Sequence, residues 1–321
     1  MASVEWDGQG VRLLDQTRLP AEETYVSCRS AAEVAKAIAD MVVRGAPAIG
    51  ATAGYGIALA ARDCELDQGA RLIRASRPTA RDLFYAVERV ERAARRGGFE
   101  AALGEAQAIA EENVQACRRM GALGAALLPD KPRIVTICNT GALATVDYGT
   151  AFGVIRAAHE NSMEPFVYVM ETRPRAQGAR LTTFELQKLG IPHRLIADSA
   201  AGRLLQTKRA DVALAGSDRI CANGDVVNKV GTYPLALLCR AHALPFYAVA
   251  PLSTVDFGMP TGDEVQVEER AESEVTDFAP TGTRAWNPAF DVTPAALVTA
   301  IVTDRGVLRP PYEQSVARLH D

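Results

Sequence analysis

The chain has 321 residues, 48% of them hydrophobic and 23% charged, with a formal net charge of −4. That composition fits a soluble globular protein long enough for two cores, and it excludes a disordered or fibrous chain. It contains no basic tract, which excludes a nucleic-acid surface, so any bound phosphate must be held by a few placed cations rather than a broad positive field.

Residues 4–14 alternate around Asp7-Gly8-Gln9-Gly10 and predict a small β-hairpin. From Ala31 the period turns helical, with Val34, Ile38, Met41 and Val42 on one face. Gly45 is placed to end that helix and Pro47 to occupy the first turn of the next. Further helices are expected over 69–75, 80–96 and 100–127, with Pro78 and the Gly97-Gly98 pair as breakers. Pro129-Asp-Lys-Pro132 marks a boundary, so residues 1–128 read as a mostly helical N-terminal domain.

Over 129–321 the rhythm becomes strand, turn, helix. Strands are expected near 133–137, 166–170, 193–197, 212–215 and 246–250, and helices near 147–159, 180–189, 200–207 and 231–243. Such alternation predicts an α/β fold of parallel βαβ units with right-handed crossovers. Near the end, Thr293 reads as the N-cap and Pro294 as the first residue of a last helix. There is no internal repeat and no low-complexity segment.

Two of the apolar runs end in Gly-bearing turns that carry a reactive side chain. Cys138 lies in Ile-Cys-Asn-Thr-Gly after Arg133-Ile-Val-Thr-Ile137, and Asp218 lies in Gly-Ser-Asp-Arg-Ile after Val212-Ala-Leu-Ala215. Open parallel sheets bind ligands beyond the carboxyl ends of their strands. A thiol and a carboxyl delivered there form a candidate pair for acid/base chemistry.

Other segments suit a sugar phosphate. In Arg44-Gly45-Ala46-Pro47 a helix start directs free amides toward an adjacent arginine, which makes an anion site. The small residues that follow, Ala48, Gly50, Ala51, Ala53, Gly54 and Gly56, permit close approach by a helix or a ligand. Pro78 holds Arg77 in extended backbone just before a helix, which suits a guanidinium fixed for phosphate. Gln177, in the polar stretch Glu171–Arg180, can bind sugar hydroxyls, and Glu171 is placed to pair with the neighbouring arginines. Asn228-Lys229, flanked by Asn-Gly and Val-Gly turns just beyond Asp218, can hold a polyhydroxy phosphate.

The six cysteines, Cys28, Cys64, Cys117, Cys138, Cys221 and Cys239, are widely spaced with no C-x-x-C, a pattern of free thiols in a reducing cytoplasm. His159, His193, His242 and His320 show no metal-ligand spacing, so no structural zinc is expected. The N-terminus does not read as a signal peptide. The longest uncharged run, 46–61, is too short and Gly-rich to span a bilayer, so no membrane partner is expected.

Taken together, the ordered segments resemble the methylthioribose-1-phosphate isomerase family, which is related to the regulatory alpha, beta and delta subunits of the exchange factor for translation initiation factor two. The likeness runs through Leu14-Asp-Gln-Thr-Arg-Leu-Pro20, Val43-Arg-Gly-Ala-Pro-Ala-Ile-Gly50 and Ser76-Arg-Pro-Thr-Ala80. It continues in Cys138-Asn-Thr-Gly-Ala-Leu-Ala-Thr145, Glu171-Thr-Arg-Pro-Arg-Ala-Gln-Gly178, Asp218-Arg-Ile, Asn223-Gly-Asp-Val-Val-Asn-Lys229 and Asn287-Pro-Ala-Phe-Asp-Val-Thr-Pro294. The resemblance implies a Rossmann-like C-terminal domain, a homodimer, and neither metal nor organic cofactor. It implies Cys138 and Asp218 as catalytic residues, with Arg44, Gly45, Ala46, Arg77, Gln177, Asn228 and Lys229 as substrate contacts. Ser217 and Cys221 depart from the family's alanine-like residues, and the stretches before Ser76 and between Thr276 and Asn287 are short.

The implied reaction opens a cyclic aldose 1-phosphate and moves hydrogen from C2 to C1 to give a ketose phosphate in methionine salvage. Asp218 is expected as the neutral acid at the ring oxygen. Cys138 is expected either as a thiolate base, helped by a helix start just after it, or as a thiol beside a direct hydride shift. A sister isomerase of 5-deoxyribose 1-phosphate or ribose 1,5-bisphosphate would share these residues. A non-catalytic regulatory subunit should lack the cysteine–aspartate pair.

Overall fold

The computed structural model describes residues 2–77 and 81–320. Contacts divide the chain into two units, one of Met1–Arg118 with Thr140–Gly149 and one of Arg119–Asn139 with Thr150–Asp321. This division departs from an expected boundary at 128/129 in two ways. It falls earlier, and it assigns a stretch after Cys138 to the first unit.

In the first unit, β1 (Val4–Trp6), β2 (Val11–Leu14) and β3 (Tyr25–Cys28) form an antiparallel sheet. The hairpin expected over 4–14 is therefore present and gains a third strand. Four helical segments follow: α1 (Ala31–Ala39), α2 (Ala46–Arg62), α3 (Leu66–Ser76) and α4 (Arg81–Ala125), the last broken at Gly97 and Gly98 by non-helical backbone and passing into the second unit from Arg119. Pro47 sits in the first turn of α2, as the sequence predicts, but Gly45, at φ +95, is the N-cap of α2 rather than the end of α1, which stops at Ala39 before Met41 and Val42. Small residues let this helix bury nearly its whole length. A Cβ on Gly56 would lie 2.7 Å from Ile73 Cδ1 and Val34 Cγ1, and one on Gly50 would lie 2.9 Å from the Asp82 carbonyl. The bare face of α2 thus receives α1, α3 and α4.

The second unit is built on a sheet in the order β14-β13-β10-β7-β4-β5-β6. Its strands are β4 (Arg133–Thr136), β5 (Phe166–Met170), β6 (His193–Ile196), β7 (Val212–Ala215), β10 (Phe246–Val249), β13 (Ala300–Thr303) and β14 (Gly306–Leu308). All neighbours are parallel except β13 and β14. β7, β10 and β13 are buried throughout, which explains their unbroken apolar runs. Edge strand β6 exposes its middle residues. The helices are α5 (Ala151–Glu160), α6 (Thr183–Lys188), α7 (Ala201–Gln206), α8 (Thr232–Ala241) and α9 (Tyr312–Ala317).

A second sheet, in the order β11-β8-β9-β12, uses β8 (Arg219–Cys221), β9 (Val226–Lys229), β11 (Val255–Asp256) and β12 (Phe290–Thr293). The sequence reading missed it. The helix expected from Pro294 is also absent: Thr293 ends β12, and only a single 3₁₀ turn, Ala295–Leu297, precedes β13. The hydrogen-bonding power of β12 goes into its ladder with β9 rather than into a cap.

Candidate active site

From β4 the chain winds outward through β5 and β6, then crosses back to β7 on the other side of β4. The strand order therefore reverses between β4 and β7, the position at which open α/β sheets form their binding crevice. Ile134 pairs with Val212 and Thr136 with Leu214. Both strands thus end at one level, and Cys138 and Asp218 leave from adjacent strand ends.

Cys138 is half-buried and adopts φ +65. Its N–H donates to Thr172 Oγ1 at 2.8 Å, and its carbonyl accepts from Thr182 Oγ1 at 2.6 Å. The helix that follows it, expected near 147–159, is present as α5, but it begins only at Ala151. The cation in its surroundings is instead Lys229, which interacts electrostatically with both Cys138 and Asp218.

Asp218 is positioned by the β8–β9 hairpin, its N–H donating to the Val227 carbonyl at 2.9 Å. Ser217 Oγ closes the same turn by donating toward the carbonyls of Arg219 (2.7 Å) and Val227 (3.1 Å). A serine there adds a bond that alanine could not make. Cys221 is buried, and desolvation pushes its thiol up to about 11, which makes it inert packing.

Asn228 and Lys229 end β9 and are 4% and 5% exposed, so the two polar groups are held where water barely reaches. Burial pushes the Lys229 ammonium below its usual range. Negative charge on Cys138, Glu274 and Asp218 pulls it back, and Arg270 adds to the fall. Asn228 Nδ2 donates to Thr232 Oγ1 (2.9 Å), which in turn donates to the Lys229 carbonyl (2.6 Å). Asp291, opposite Asn228 in the β9–β12 ladder, accepts from the N–H of Gly231 (2.6 Å) and Tyr233 (3.1 Å). Its burial raises its own carboxyl to about 6 against those bonds and Lys229. Asp291 was missed from sequence because Asn287–Pro294 read as the approach to a helix.

Gln177 follows β5, the neighbour of β4, and its Oε1 is buried with no hydrogen-bond partner among the described residues. A buried amide acceptor in that state suits a ligand hydroxyl. The adjoining arginines do not pair with Glu171 as expected. Arg173 binds Asp277 at 2.9 Å, and Arg175 binds Glu274 at 2.8 Å. Burial works against the charge on Glu274, but Arg270 and Arg175 hold its carboxyl down at about 2. The 171–180 stretch is thus tied to residues some hundred positions later, which local reading could not find.

Arg44, Gly45, Ala46 and Arg77 belong to the first unit. Gly45 has no room for a side chain, since a Cβ there would lie 2.4 Å from the Ala144 carbonyl. Arg77 has φ −149 and ψ 83, the extended backbone expected of it, while Pro78, Thr79 and Ala80 of its motif lie outside the described residues. Among the described residues, no group of three or more His, Cys, Asp or Glu side chains could hold a metal ion, and no helix is long and apolar enough to cross a membrane. A cleft of about 620 Å³ does open at the opposite, amino edge of the main sheet, but it is lined by Arg133 already bound to Asp211 and carries none of the candidate groups.

Residues 42–310 match the model of the initiation factor 2 subunit family. The methylthioribose-1-phosphate isomerase of Pelotomaculum thermopropionicum is 50% identical, over 98% of this chain and 93% of that protein. A solved structure of 5-methylthioribose 1-phosphate isomerase from Pyrococcus horikoshii OT3 superposes with a TM-score of 0.94 at 40% identity, covering 99% of this chain and 95% of that one. A solved structure described as translation initiation factor eIF-2B, subunit delta, from A. fulgidus gives 0.90 at 42% identity, covering 99% of each chain. On this likeness and along its whole length, the chain belongs to the methylthioribose-1-phosphate isomerases of the initiation factor 2 subunit family.

Proposed function

We infer that this enzyme converts 5-methylthioribose 1-phosphate to 5-methylthioribulose 1-phosphate, an aldose–ketose isomerisation of methionine salvage. The observation that carries the reading is the thiol and carboxyl on adjacent strand ends at the switch point, with Lys229 in the field of both. A regulatory subunit that only sensed a ligand would not need that pair.

In the proposed mechanism, Asp218 gives its proton to the ring oxygen as the bond from that oxygen to C1 breaks, leaving an electron-deficient phosphorylated C1. Cys138, as a thiolate, takes the proton from C2. The released electron pair forms a double bond to C1 and quenches its positive charge. The thiol then returns a proton to C1 while the C2 hydroxyl proton passes to the Asp218 carboxylate. A carbonyl remains at C2, and both residues recover their starting forms. Lys229 lies in the electrostatic field of both groups, and transfer of the proton through Cys138 is the route preferred here to a direct hydride shift.

Arg44 and Arg77 are proposed to hold the phosphate, with the amides of Gly45 and Ala46 beside them. Gln177 and Asn228 are proposed to hold sugar hydroxyls. The reaction run in heavy water tests the reading by NMR. A ketose phosphate is expected, with deuterium at C1 to the extent that the Cys138 thiol exchanges its proton with solvent before returning it. No ketose would refute the activity, and deuterium at C1 would refute a direct hydride shift. The six free thiols suit a reducing cytoplasm. The family likeness suggests a homodimer, which sedimentation of the full chain would reveal or refute.

A further inference from the structure

Cys138 at φ +65 is in a conformation that residues with a Cβ seldom adopt, and one that persists only where the surroundings over-determine it. Both of its backbone polar groups are bound by buried hydroxyls rather than by a neighbouring strand. Thr172 is fully buried, and its hydroxyl proton is directed to the Met170 carbonyl at 3.0 Å, which leaves its oxygen to accept the Cys138 N–H. Thr172 is itself at φ +67. Asp198 holds it by accepting from its N–H at 2.8 Å and from that of Arg173 at 2.7 Å.

On the other side, Thr182 is 2% exposed and donates to the Cys138 carbonyl. It also accepts from Asn139 Nδ2 at 3.2 Å, and that same amide reaches Glu185 at 2.7 Å. Gly178 seals the arrangement, since a Cβ there would lie 1.8 Å from the Met170 carbonyl and 3.0 Å from Thr172 Oγ1. The strand ends of β5 and β6 and the start of α6 therefore converge on one residue.

We propose that Thr172 and Thr182 are positioning residues for the isomerisation, two hydroxyls that clamp the backbone of Cys138 so that its thiol stays at the carboxyl end of β4, next to the end of β7 that carries Asp218. The inference rests on Cys138 being the reacting thiol. Both act by fixing where the thiol points.

The test uses the full-length protein with Thr172→Val, Thr172→Ser, Thr182→Val and Cys138→Ser. Two readouts are taken, kcat and KM with methylthioribose 1-phosphate, and the pH profile of Cys138 alkylation by iodoacetamide, followed by mass spectrometry of its peptide. Thr172→Val should lower kcat by about 10²-fold, the scale of a small misplacement of a reacting group, with KM nearly unchanged. It should also displace the alkylation profile, and Thr172→Ser should restore both. If Thr172→Val does not fold, Thr182→Val carries the same measurements. A folded valine variant with wild-type kcat and an unchanged profile overturns the clamp. Wild-type turnover in Cys138→Ser would instead defeat the catalytic reading of the thiol, and the alkylation profile would still report on the clamp by itself.

Discussion

Cys138→Ser and Asp218→Asn should each fold normally and lose turnover by roughly 10²–10⁴-fold, the usual contribution of a general acid or base. Neither change removes core volume. The clamp on Cys138 uses its N–H and carbonyl, which serine retains. Asp218 is fixed by its N–H to Val227, which asparagine retains. The chemistry, in contrast, is removed in both. Serine has too high a pKa to act as the base near neutrality, and an amide cannot deliver the proton to the ring oxygen. Circular dichroism and melting temperature should match the wild type while kcat collapses. A variant with wild-type turnover would remove its residue from the mechanism.

Lys229→Met should produce two opposite changes. If Lys229 holds the substrate, as the resemblance implies, a hydrogen bond to its charge contributes about 1.5–3 kcal/mol, so losing the ammonium should raise KM by roughly 10–100-fold. Stability should rise, because burial depresses this lysine's pKa and the folded chain bears the cost of its charge. The unfolded lysine keeps its proton up to about 10.5, while the folded one gives it up earlier. The unfolded state therefore binds more protons across that window, and wild-type stability climbs as pH rises through it. Methionine should abolish the climb and raise Tm at pH 7 by roughly 2–4 °C, the effect of about 1 kcal/mol in a domain of this size. A lower Tm would mean that the ion pairs of Lys229 outweigh its burial. Arg77→Lys gives a contrasting case at a less buried cation. It keeps the charge but loses the planar fork, so KM should rise without a gain in Tm.

Most of the main sheet was legible because its central strands are buried and punctuated by glycine turns, so β4, β5, β7 and β10 stand out as apolar runs, while β13 and β14 were not read as strands. The smaller sheet was not. β9 reads Val-Val-Asn-Lys, and its two polar residues disguise a strand that is buried all along. The cysteine and aspartate were legible from their matching positions after two strands, and the strand order then placed them side by side. What sequence could not supply were partners set by long-range folding. Arg175 finds Glu274, Asp291 finds the amides before α8, and Thr172 finds Cys138. The helix expected after Cys138 is present as α5, but the irregular excursion before it, through a 3₁₀ turn at Ala142–Ala144, was not legible.

The choice of sugar remains the most direct test. A second phosphate would need its own cations, and Arg173 and Arg175 are already held by Asp277 and Glu274. A methylthio tail asks only for an apolar pocket, contributing roughly 0.8 kcal/mol per methylene-sized group. The decisive measurement is kcat/KM for 5-methylthioribose 1-phosphate, 5-deoxyribose 1-phosphate and ribose 1,5-bisphosphate under one set of conditions. The methylthio sugar should be best, the deoxy sugar lower by on the order of 10–200-fold, and the bisphosphate lowest. Preference for the bisphosphate would contradict the assignment.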